Sequence, residues 1–204
     1  MRYFVIAILT IIIIATIRTF RKKKGSTATY NSDLIDAGPL LFPDRKQEFQ
    51  AFYSLFLQDR NAFIGKNAEL LARYDNFELD KLKPIEILYI FADSNHRVCF
   101  TDWRGEENER EIERFLEDNL RVKADWKNAD EVRKGVDEEG QRDGKFIIDL
   151  LRATDKDLEP LNKKLLFFDL SWDAYVYTVV DETSFRRIIE QYGTHFHGIE
   201  KLRK

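Results

Sequence analysis

The sequence predicts an α+β domain carried behind an N-terminal transmembrane helix, and three observations predict it. Residues 3–17 (YFVIAILTIIIIATI) run for fifteen positions without a charge, followed by Arg18 and the basic run Arg21, Lys22, Lys23 and Lys24. Beyond residue 43, apolar side chains recur at helical spacing. Residues 164–170 (KLLFFDL) and 174–180 (AYVYTVV) are short branched and aromatic runs around Ser171-Trp172-Asp173, the pattern of a β-hairpin. The expected order is a transmembrane helix, a helical hairpin, and two β-hairpin-plus-helix units forming a mainly antiparallel sheet with helices packed on it. Residues 1–20 are assigned to the anchor, 21–43 to a basic flank and tether, and 44–204 to a single α+β soluble domain.

A helix rises about 1.5 Å per residue, so about 20 residues cross a hydrocarbon core of about 30 Å. The uncharged run reaches that length when Arg2 and Arg18 lay their stems along the helix and Phe20 sits at headgroup depth. Phe4, Val5, Leu9 and seven isoleucines together favour insertion by roughly 3 to 6 kcal/mol. The core runs into four consecutive cations and leaves no small-residue cleavage site, which disfavours a signal peptide. Five cations follow the core, and Lys and Arg beside a span stay cytoplasmic. Arg18, Arg21, Lys22, Lys23 and Lys24 therefore set the topology: a single pass, the N-terminus outside, the C-terminal domain cytoplasmic, and lipid as the first partner.

Six of the 33 lysines and arginines precede residue 25 and none of the 36 acids does, so residues 25–204 carry 27 cations against 36 acids, a net charge of −9. Such a domain repels phosphate backbones, and no basic stripe interleaved with aromatics overrides this, which excludes nucleic acid as the expected partner. Sixteen Phe, eight Tyr and three Trp with only nine Gly and four Pro give enough apolar mass for a packed core. The single cysteine, Cys99, forms no internal disulfide and agrees with a reducing compartment.

Along the chain, residues 25–43 read as a polar tether whose last apolar residues, Leu40 to Phe42, dock on the domain. From Pro43-Asp44 onward, Phe49, Phe52, Tyr53, Phe56 and Leu57 form one helical face, and a second helix begins near Asn61 or Asn67 with Leu70, Leu71 and Tyr74. Residues 85–92 (IEILYIFA) and 97–103 (RVCFTDW) read as strands around the turn residues 93–96, although the first run also suits the end of a helix starting at Pro84. Residues 105–120 read as a helix with Ile112, Phe115, Leu116 and Leu120 on one face and six glutamates on the other. An edge strand over 122–126, a short helix and mobile excursion over 128–144, and a helix over 145–163 broken near Thr154-Asp155 follow. After the second hairpin, residues 181–184 supply helix-cap chemistry, Phe185, Ile188, Ile189 and Tyr192 an apolar face, Gly193 a stop, and 194–199 a last strand.

Three constellations could carry function, the least specific being Asp102-Trp103 at the close of the first predicted hairpin with Arg104 following, where a tryptophan packed between strand and helix is the ordinary reading. Asp169, Trp172, Asp173 and Tyr175 surround the second hairpin turn, where two carboxylates and a tryptophan can receive a partner's basic group; turn aspartates bonded to their own backbone are the ordinary alternative. His195 and His197 share one face of a strand and could pair on a metal with Asp169 as third ligand. No phosphate-binding glycine loop, H-E-x-x-H or nucleophile elbow is present, nor a cysteine with a base partner, and no cofactor is expected.

The segment Leu165-Leu166-Phe167-Phe168-Asp169, followed by Asp173-Ala174-Tyr175-Val176 and a helix, resembles the C-terminal part of an uncharacterised bacterial domain-of-unknown-function family with an Asp-x-x-x-Asp-x-Tyr hairpin. That resemblance covers about 40 residues and implies an α+β fold with no known catalytic residues. The expected function is protein binding, as adaptor, regulator or immunity-like partner of a basic protein at the membrane. The alternative is a membrane-tethered, metal-dependent hydrolase using His195, His197 and Asp169.

Overall fold

The computed structural model describes residues 34–75, 77–121, 123–136 and 144–202. The anchor at 1–20, the topology cations Arg18, Arg21, Lys22, Lys23 and Lys24, the tether up to residue 33 and most of the charged excursion lie outside the described residues. Among those described, no helix is long and apolar enough to cross a membrane.

The fold is α+β: helices on both faces of a four-stranded antiparallel sheet. Its centre is the hairpin of β2 (Lys163–Phe168) and β3 (Ala174–Asp181), paired with Phe167 opposite Tyr177 and Leu166 opposite Thr178. β1 (Cys99–Asp102) adds antiparallel to β3, and the two-residue β4 (Phe196–His197) adds to β2, giving the order β1-β3-β2-β4. Side chains alternate between sheet faces with a period of two. Leu166, Phe168, Val176 and Val180 enter one core, and Leu165, Phe167 and Tyr177 enter the other.

The first core is built by helices that precede the sheet. α1 (Leu34–Leu41) buries Leu34, Ala37 and Leu41 in a stretch the sequence assigns to the tether, and Phe42 is buried behind it. At Gly38 a Cβ would lie 1.9 Å from the Phe49 ring, so only glycine lets α1 approach this closely. α2 (Lys46–Gln58) places Phe49, Tyr53 and Phe56 on one buried face. α3 (Arg60–Lys66) and α4 (Ala68–Leu71) add Phe63 and Leu71.

α5 (Pro84–Ser94) corrects the first predicted strand: residues 85–92 are helical, so the sheet has one hairpin rather than two. Pro84 takes the first helical position, where its missing N–H costs nothing, and the Lys83 N–H donates to Glu86 Oε2 at 2.7 Å. Every residue from Ile87 to Ala92 is buried. A helix enclosed all round has no polar face, so its 3.6-residue period is invisible in the sequence. Phe91 is its anchor, with ring centroids 5.2 Å from Phe49 and 5.4 Å from Phe42.

The second core lies under α6 (Glu111–Leu120), α7 (Lys127–Lys134) and α8 (Gly144–Leu158). The helix expected from 105 starts only at Glu111: Arg110 is left-handed (φ 60°), and Glu106 Oε1 turns back to accept from the Ile112 N–H at 2.9 Å. Residues 123–126 form no strand. α8 is unbroken at Thr154 and Asp155, because Asp155 accepts from the Leu165 N–H at 2.8 Å and ties the helix to β2. Two residues on, Asp157 accepts from the Asn128 and Ala129 N–H groups at 3.1 and 2.9 Å and so caps α7 from outside it. α9 (Glu182–Tyr192) returns to the first core and starts at the expected cap, with Asp181 accepting from Ser184 N at 2.8 Å.

The loop before α6, α6 and α7 meet at a buried ion triad. Arg133 contacts Glu113 through two bonds of 3.0 and 2.7 Å and Glu106 through one of 2.6 Å; the three side chains are 10%, 3% and 6% exposed. Removing one partner of such a group leaves uncompensated buried charge, while replacing all of it does not. Arg133→Ala is therefore expected to cost about 3 to 5 kcal/mol in urea unfolding. Arg133→Met combined with Glu106→Gln and Glu113→Gln should recover most of that loss.

Candidate functional site

The second hairpin turn is held in place by backbone before any side chain acts. The Asp169 N–H donates to the His195 carbonyl at 2.9 Å, Leu170 N to the Phe168 carbonyl at 3.1 Å, and Ser171 takes a left-handed φ of 58° that reverses the chain. The reversal lays Trp172 back over α5. Its ring stands edge-on to Tyr89 with centroids 4.9 Å apart and lies 5.6 Å from Phe77.

Beside it is a cleft of 310 Å³ lined by Tyr74, Phe77, Tyr89, Phe100, Trp172, Asp173 and Ala174. Phe100 reaches it from β1, where it stands opposite Val176 and so on the first-core face, beyond the cover of the helices; it is 51% exposed. Tyr74 donates its hydroxyl to Asp93 Oδ2 at 2.6 Å. Burial, reinforced by Asp93, pushes Tyr74 above the ordinary phenol range and Tyr89 up to about 12. The cleft thus offers aromatic faces and neutral phenols, with the exposed Asp173 carboxylate at its rim. Such a surface takes apolar or cationic side chains.

The sequence-predicted residues divide. Trp172 and Asp173 line the cleft together. Tyr175 points to the opposite sheet face, beside the second core, as the period of two requires. Asp169 is exposed and meets His195 through its backbone N–H, which donates to the His195 carbonyl. His197 stacks on Phe167, centroids 5.3 Å apart, and its Nδ1 lies 2.9 Å from the Gly198 carbonyl. Among the described residues, no group of three His, Cys, Asp or Glu side chains could hold a metal ion. Cys99 is buried, and burial pushes its thiol above the ordinary range, away from the thiolate a nucleophile needs. Sequence reasoning missed Phe100, Phe77 and Tyr89 as site residues; the available signal was the alternation Cys99, Phe100, Thr101, which exposes the middle residue when its neighbours are buried.

A family model described as a domain of unknown function (DUF6630) matches residues 34–202, and the chain belongs to that family. It is uncharacterised, as the hairpin resemblance implied, and the match extends well beyond the hairpin. No curated protein and no solved structure matches the chain.

The cleft phenols set an alkaline limit on stability. Tyr89 ionises at about 12 in the folded state against 10.0 in the open chain, so between these values the unfolded state loses its proton first. Stability is then fully present below 10 and falls as pH rises. Tyr89→Phe is expected to flatten this alkaline loss in urea unfolding at successive pH values, and adding Tyr74→Phe to flatten it further.

Proposed function

We propose that this domain is a protein-binding module that works at the membrane surface, with the aromatic cleft as its contact site. The observation that carries the reading is the half-exposed Phe100 ring facing Trp172 across a cleft rimmed by Asp173. A partly open aromatic pocket with a charged rim is the usual build of an interface hot spot, where a few aromatic residues carry most of the binding energy. Trp103, 39% exposed, extends the apolar surface beyond β1. The net charge of −9 over residues 25–204 favours a basic partner and speeds its approach.

The reading includes the bilayer. Residues 1–20 anchor the chain in a single pass with the domain on the cytoplasmic side, supported by the uncharged run 3–17 and the cations Arg18, Arg21, Lys22, Lys23 and Lys24. Tethering confines encounters to the membrane surface and raises the effective concentration of partners there. For the metal-dependent hydrolase using His195, His197 and Asp169, no group of three His, Cys, Asp or Glu side chains among the described residues could hold a metal ion.

A photo-crosslinking residue placed at Phe100 in the full-length chain in cells is expected to form a discrete adduct. The same residue at Glu190, on the exposed side of α9, is expected to form none. Trp172→Ala should lower the adduct at position 100 by about 30-fold, the equivalent of a hot-spot loss of about 2 kcal/mol. Equal yields from both positions, or an adduct indifferent to Trp172, would contradict the proposal.

A further inference from the structure

A second cleft, of 360 Å³, lies on the other side of Phe100. Five consecutive residues, 98–102, form one wall of it, and the opposite wall is Glu106, Glu107, Glu111 and Phe115. Residues 99–102 of that wall are β1, which pairs with β3 on one side; among the described residues no strand adjoins its other side, where Gly105 bridges the last residue by donating its N–H to the Asp102 carbonyl at 3.1 Å. An edge strand presents unpaired N–H and C=O groups at a fixed spacing and can template another extended chain. Here the edge borders a groove that already has an opposite wall.

The charges of the groove specify the occupant. Glu106 is paired with Arg133, which it shares with Glu113, and the nearby Arg110 is engaged by Asp130. Asp102, Glu107 and Glu111 form no ion pair with any described residue; their recorded bonds are an Asp102 contact to the Arg104 N–H and Glu111 contacts to the Glu107 and Asn108 N–H groups. Three uncompensated carboxylates beside an open strand edge complement lysine or arginine side chains and repel acidic ones. Alternate residues of an added strand face opposite ways. One set would pass over Phe100 and the aromatic cleft, the other toward Phe115.

We infer that the free edge of β1 accepts an extended, basic segment of a partner protein as a fifth strand, bound through its backbone along residues 98–101 and through its cations by the Asp102, Glu107 and Glu111 side chains. This rests on the reading of the domain as a protein-binding module and specifies the partner's conformation and charge. Main-chain pairing supplies affinity and alternate side chains supply specificity in this mode of recognition.

The test uses the full-length chain in detergent micelles and fluorescent heptapeptides read by anisotropy. The peptide Lys-Val-Lys-Val-Lys-Val-Lys is expected to bind and Glu-Val-Glu-Val-Glu-Val-Glu to bind at least about tenfold more weakly. A strand hydrogen-bonds a neighbour through alternate residues only, so N-methylation of all valines or of all lysines should differ: one form loses about tenfold or more and the other keeps the parent affinity. Glu107→Lys, a change at an exposed side chain, should weaken the lysine peptide. Equal affinities for the two methylated forms, equal affinities for the lysine and glutamate peptides, or β1 cross-linked to β1 of a second copy would each overturn the inference. If no peptide binds while the adduct at position 100 still forms, strand addition fails and the aromatic cleft stands; if neither occurs, both fail.

Discussion

The β2–β3 ladder is buried on both faces, and the rest of the domain follows from that constraint. Leu165 to Phe168 are all buried, two toward each core, so neither face of the sheet can be left to water. Helices have to be supplied to both sides. The first core meets this need with aromatic mass: Phe42, Phe49, Phe52, Tyr53, Phe56, Phe63 and Phe91 form a connected set of ring contacts. The second core has more charged helices, and it is secured by polar groups that reach between elements: Asp155 to β2, Asp157 to the start of α7, and Arg133 to two glutamates.

Helical cover on both faces leaves only the sheet's edges and the ends of its strands accessible. β4 is two residues long and closes one edge with little backbone to offer. β1 closes the other, and there the helical layers stop short: Phe100 projects past α5 on one face, while the cleft under α6 opens along the strand. Both clefts share Phe100, so the place where the cover ends is also where the most exposed phenylalanine among the described residues stands. The aromatic cleft thus lies beside the outer edge of β1 and a row of carboxylates.

Much of this was legible in the sequence wherever one side of an element faces water. The β2–β3 hairpin, the cap at Asp181 and the apolar face of α2 announced themselves through turn chemistry or periodicity. α5 did not, because burial on every side removes the polar positions that mark a helix. The six glutamates form one face in the helical pattern of residues 105–120, but Glu106 and Glu113 are buried on Arg133, and their partner lies 20 or more residues away where no local pattern can show it. Trp172 and Asp173 were readable as turn residues. For Phe100 the alternation of Cys99, Phe100 and Thr101 showed only that the middle residue faces away from its neighbours, and deciding which side faces outward requires knowing that the second-core side takes the other two. Tyr175 shows the complementary error: it is close to Trp172 in sequence but sits on the opposite face by the alternation of the strand.

Access to the sheet therefore depends on whether β1 is an open edge beside a closed ladder. Amide hydrogen exchange of the full-length chain, resolved residue by residue, measures this directly. Amides of β2 and β3 are predicted to exchange only by opening of the whole domain, while those of β1 that face away from β3 exchange orders of magnitude faster, near the rate of an exposed loop. Uniform slow exchange along Cys99–Asp102, equal to that of β3, would mean that the edge is already covered and would contradict the account.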